Sequence, residues 1–77
     1  MHDAAIAEGI RWKFESLSPV LDERSLRQWA ATEAVELGWG GISTVAAATG
    51  MARDTIRTGI GELVKRNIRP GAVPDRR

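Results

Sequence analysis

The densest chemistry in the sequence lies in the run Arg53-Asp54-Thr55-Ile56-Arg57-Thr58, where guanidiniums, a carboxylate and hydroxyls surround one apolar residue. An arginine can donate two parallel hydrogen bonds to O6 and N7 of guanine, and an aspartate can accept one from the amino group of cytosine. Arg53, Asp54, Arg57 and Thr58 are therefore the candidate base-contacting residues. Short hydroxyls and the free amides of a helix start suit phosphate oxygens instead, so Ser43, Thr44 and Thr55 are candidate phosphate contacts. Lys65, Arg66 and Arg69 join them as cations that could neutralise phosphates. Each has a plainer reading beside it. A charged helix face is commonly a solvated one, Asp54 can simply complement the dipole of a helix start, and basic groups near a chain end aid solubility.

Other chemistries fall away. There is no cysteine and only one histidine, His2, so a disulfide framework, a thiolate zinc site or any metal site is not expected. With no tyrosine and no acidic cluster at metal-binding spacing, the expectation is no catalytic residue, no cofactor and no small-molecule substrate. No apolar run is long enough for a membrane span, and the opening His2-Asp3 is unlike a signal sequence, so no membrane partner is expected and the location would be cytoplasmic and nucleoid-associated.

The formal net charge of +1 conceals an asymmetry. Residues 1–41 hold four basic and seven acidic groups, net −3, and residues 42–77 hold seven basic and three acidic, net +4. A domain with one anion-facing side would show this, as would a plain arginine tail.

These residues need a scaffold, and 77 residues supply one domain. Hydrophobic residues at 43% against 27% charged describe a globular chain rather than a disordered one. Ile6, Ile10, Phe14 and Leu17 recur at helical spacing and predict a helix over 4–17, which Ser18 and Pro19 end. Asp22 is a good N-cap for a second helix over 23–37, with Leu26, Trp29, Ala30, Ala34 and Leu37 on its buried stripe, closed by Gly38-Trp39-Gly40-Gly41. From Ile42 to Leu63 the pattern becomes a helix-turn-helix. A short helix over 43–49, which Ser43 could cap, is followed by a tight turn at Gly50 and a helix over 53–66 with Ile56, Ile60 and Leu63 inward. The expected fold is thus all-α, a small four-helix domain over 4–68 with its helix-turn-helix at 42–63 and a flexible linker or tail over 69–77. In such a motif the second helix lies in the major groove with its N-terminal residues toward the bases.

Several residues resist this scheme. Trp29 reads as core, Trp12 falls off the apolar stripe of its helix and so suits an interface, and Trp39 could cover the open end of the core. Glu33 lies on the buried stripe of the second helix and needs a partner, an arginine or the free amides of the third helix, unless it sits at an exposed edge. Gly59 and Gly61 each cost about 1 kcal/mol against alanine inside a helix. Either they admit a close neighbour, or the helix frays early.

The strings Lys13-Phe14-Glu15, Leu21-Asp22-Glu23-Arg24, Gly38-Trp39-Gly40-Gly41-Ile42-Ser43 and Ala48-Thr49-Gly50-Met51-Ala52-Arg53-Asp54-Thr55-Ile56-Arg57, followed by Glu62-Leu63, resemble the N-terminal segment of insertion-sequence transposases of the ISAzo type. The resemblance covers about Arg11 to Leu63. It implies binding of transposon-end DNA, and it implies that the family's DDE carboxylates and metal ions belong to a downstream catalytic domain, so no acidic residue here inherits them. Ala52 stands where similar modules usually carry a serine or threonine cap.

The expected function is sequence-specific binding of double-stranded DNA, as the end-binding domain or remnant of such a transposase without its catalytic domain. Two alternatives stand beside it. A free-standing helix-turn-helix transcriptional regulator would be a homodimer, and a helical protein-interaction module would use Trp12 as its anchor.

Overall fold

The computed structural model describes residues 4–66, which form four helices: α1 (Ala4–Leu17), α2 (Glu23–Leu37), α3 (Gly41–Thr49) and α4 (Arg53–Lys65). No strand occurs among the described residues. The domain is all-α, as the periodicity requires.

Local chemistry sets most of the helix limits. At the end of α1, Ser18 N–H still reaches Phe14 O at 2.8 Å, but Pro19 has no N–H to continue, and Val20 and Leu21 turn back onto Leu17 O, each at 2.9 Å. Asp22 has extended backbone and its carboxylate accepts from Ser25 N–H at 2.7 Å, satisfying one of the amides that a helix start leaves unpaired. Gly38 ends α2, its N–H shared between Ala34 O and Val35 O. Gly50, at φ 81°, ends α3 with its N–H on Ala46 O at 2.8 Å. Thr49 ties the turn together, donating to Val45 O at 2.8 Å and accepting from Met51 N–H at 3.1 Å. The turn is Gly50-Met51-Ala52, after which α4 begins with Ala52 as an N-cap that has no side-chain acceptor.

Two limits differ from the sequence pattern. The third helix begins at Gly41 rather than Ser43, with Gly40 as N-cap, so Ser43 is an exposed first-turn residue and not the cap. The cause is tertiary. Gly41 is buried against the last turn of α2, where a Cβ would collide with Ala34 O and stand 3.1 Å from Leu37 Cβ. Only glycine permits α3 to start that close. The fourth helix stops at Lys65, and Arg66 forms its C-cap with its N–H on Glu62 O at 3.1 Å.

The core joins Ile10 of α1, Ala30 and Ala34 of α2, Val45 and Ala48 of α3, and Ile56 of α4. Ile56 and Val45 are its largest fully buried side chains, and the rest of its volume is mostly alanine. Small residues at helix crossings let backbones approach closely, so tight packing compensates for modest side-chain size. Complete burial of Ile56 contributes about 1.5–3 kcal/mol. α2 packs most extensively on α4 and also on α3, while α1 lies mainly against α3.

The tryptophans do not form the centre. Trp29 is half-buried at the edge of the core and stacks on Phe14 with ring centroids 6.4 Å apart. Trp39 leaves 87% of its surface exposed, and Leu37 and Ile42 pack against the core on either side of it. Trp12 is 69% exposed on the side of α1 away from Ile10. Glu33 meets Lys13 Nζ at 3.2 Å, a partner from α1 rather than an arginine or the amides of α3.

Candidate nucleic-acid interface

The helical repeat of α4 divides its residues by environment. Ile56, Gly59 and Leu63 are buried against the domain, while Arg53, Asp54, Arg57, Thr58, Gly61, Val64 and Lys65 are exposed. All of the predicted base-contacting residues thus share one solvent-facing surface at the start of the helix that follows the turn. Leu63 and Ile56 fix the rotation of α4 about its axis, because their burial leaves only one orientation for the polar residues.

This surface has internal structure. Arg57 Nη1 donates to Asp54 Oδ1 at 3.0 Å, so one candidate reader is held by another along the same helix. Both side chains are well exposed, and such a pair exchanges readily for a stronger partner. Thr58 Oγ1 donates to Asp54 O at 2.9 Å, which leaves its hydroxyl oxygen outward as an acceptor. The Arg53 side chain makes no hydrogen bond or ion pair among the described residues and is the most available cation of the set.

The candidate phosphate contacts are less uniform. Ser43 is exposed on α3. Thr44 is half-buried and turns its hydroxyl onto Gly40 O at 3.1 Å, and Thr55 is half-buried within the first turn of α4. Lys65 is exposed, whereas Arg66 Nη1 is engaged by Gln28 Oε1 at 2.7 Å. Arg69 lies outside the described residues.

A polar network that sequence spacing did not disclose joins α2 to α4. Arg27 grips Glu62 through two hydrogen bonds, Nε to Oε1 at 3.1 Å and Nη2 to Oε2 at 2.7 Å. Gln28 Nε2 adds a third, to Oε1 at 3.1 Å. These donors, Arg27 foremost and Gln28 next, pull the Glu62 carboxyl down to about 2. The same pairing raises Arg27. A two-pronged guanidinium–carboxylate contact fixes orientation as well as charge, so it sets how α4 lies across α2. The partners are 35 positions apart, and no local pattern connects them.

The fold is therefore a four-helix domain with a helix–turn–helix pair presenting a polar α4. Comparison with family models, curated proteins and solved structures yields no match for this chain. No group of three or more histidine, cysteine, aspartate or glutamate residues among the described ones could hold a metal ion, and no described helix is long and apolar enough to cross a membrane.

Proposed function

We propose that this chain is a sequence-specific DNA-binding domain in which α4 enters the major groove. The observation that carries the reading is the common exposed surface of Arg53, Asp54, Arg57 and Thr58 at the N-terminal turns of α4, directly after a three-residue turn. A recognition helix needs that placement, since its first residues approach base edges while the preceding helix crosses the backbone. Arg53 and Arg57 would donate to guanines, Asp54 would accept from cytosine, and Ser43 of α3 would meet a phosphate. The resemblance to ISAzo-type insertion-sequence transposases narrows the target to transposon ends, with the chemistry of transposition carried by a separate catalytic domain.

Fluorescence anisotropy with labelled duplexes tests this directly. Binding should weaken steeply with salt, because each phosphate neutralised releases counterions. Selection from a random pool should then enrich one site. Absence of salt-dependent binding to any duplex would overturn the proposal.

A second reading rests on Trp12, a large aromatic surface exposed on the side of α1 away from the core. As a protein-interaction module the domain would lose its partner on Trp12→Ala and be indifferent to reversal of charge at Arg53 and Arg57.

A further inference from the structure

The α2–α4 network leaves a surplus of positive charge in a defined place. Arg24, Gln28, Glu62, Lys65 and Arg66 line an open cavity of about 350 Å³ between the start of α2 and the end of α4. Glu62, the one acid in its lining, is already held by Arg27 and Gln28. The side chains of Arg24 and Lys65 make no hydrogen bond among the described residues, although Arg24 lies near enough to Glu62 and Asp22 to lower both carboxyls. Arg66 spends one N–H on Gln28 Oε1, which anchors its guanidinium and leaves other donors for a ligand. Asp22 lies close to Arg24, yet its carboxylate is committed to capping α2 at Ser25 N–H.

From this geometry we infer a phosphate-binding cleft, formed by Arg24, Lys65 and Arg66, that grips the DNA backbone at a distance from the base-reading surface. The inference rests on the DNA-binding reading above and adds α2 to the interface. Lys65 belongs to the same exposed stripe of α4 as Asp54, Thr58 and Gly61, four, three and four positions apart, so the cleft continues the reading surface at its C-terminal end. Arg53 and Lys65 are separated by roughly 18 Å of helix at 1.5 Å per residue. Base contacts at the Arg53 end and phosphate contacts at the Lys65 end would brace α4 in the groove and fix its register, the role that phosphate contacts serve in DNA recognition. Gln28 does not touch the ligand in this scheme. It is a positioning residue that links Glu62 to Arg66.

The test compares the salt dependence of affinity for random-sequence and selected 20-base-pair duplexes between the unaltered chain and an Arg24→Gln/Lys65→Gln variant. Helical circular dichroism and thermal melting check that each variant is folded, and the exposed positions of Arg24 and Lys65 make that the expected result. The expected outcome is a slope of log affinity against log salt shallower by about 1–2 in the cleft variant, equally on every duplex sequence. Gln28→Ala should produce part of this loss by releasing Arg66. If the unaltered chain binds with salt dependence and the cleft variant keeps the same slope, the cleft is overturned and the DNA-binding reading stands. If the unaltered chain binds no duplex at low salt, the reading itself falls, and the cleft with it.

Discussion

Gly59 of α4 sits against the backbone of Arg27 in α2, so near that a Cβ at this position would stand 2.6 Å from the Arg27 carbonyl oxygen and 3.0 Å from Ala31 Cβ. The glycine that weakens the helix in isolation is what permits the α2–α4 contact. Gly61, one turn-fraction away, has nothing within 4 Å of the same atom.

The two glycines should therefore respond oppositely to alanine. Gly61→Ala should stabilise the domain by about 0.8–1 kcal/mol through helix propensity. Gly59→Ala should destabilise it by about 1–3 kcal/mol, because the obstructing atom is backbone and the helices must separate. Urea unfolding of both variants decides it, and equal gains would mean that α2 and α4 do not meet as described.

The uncapped start of α4 supplies a second prediction. Ala52 already has the extended backbone of an N-cap but no side-chain acceptor. Ala52→Ser should add about 1 kcal/mol, seen as a rise of about 4–8 °C in Tm for a domain of this size. No change in Tm would place the helix start elsewhere.

Acid should unfold the domain in a particular window. The Glu62 carboxyl is lowered from 4.5 to about 2 by Arg27 and Gln28, and Asp22 is lowered by the Ser25 amide. A carboxylate with a depressed folded pKa contributes stability that is complete above its unfolded value and disappears as pH falls through the folded one. For Glu62 the loss runs from about pH 4.5 down to about pH 2. Melting curves across this range should fall in Tm, and Glu62→Gln should lower Tm at neutral pH while removing much of the acid dependence, leaving the part due to Asp22.

The base-reading role proposed for the exposed start of α4 predicts a separation of affinity from specificity. Arg53→Gln and Arg57→Gln should each weaken binding to the selected site by about 1–3 kcal/mol and broaden the tolerated bases at one position. Asp54→Asn, by releasing Arg57 and removing a negative charge from this exposed surface, should raise affinity for random duplex while lowering discrimination. Anisotropy titrations against selected and random duplexes distinguish these effects, and uniform losses on both would reassign the arginines to phosphates.

Much of this architecture can be read from neighbouring residues. The Asp22 cap, the proline stop after α1, the turn at Gly50 and the inward face of Ile56, Ile60 and Leu63 involve groups no more than a few positions apart. Helical periodicity and local hydrogen bonding are sufficient to locate them. The exposed placement of Arg53, Asp54, Arg57 and Thr58 follows from the same periodicity, since burying one face of α4 exposes the other.

What the sequence by itself determined, then, is the number of helices, most of their limits, and which face of each is apolar, because these depend on short-range backbone chemistry and on the 3.6-residue repeat. Tertiary structure decided the early start of α3 where Gly41 meets Ala34, the close seat of Gly59 on Arg27, the pairing of Glu33 with Lys13, and the Arg27–Glu62–Gln28–Arg66 network. Each of these joins residues on different helices. Their meeting depends on how the helices pack in three dimensions, and a pattern repeated along one helix carries no information about the distance to another.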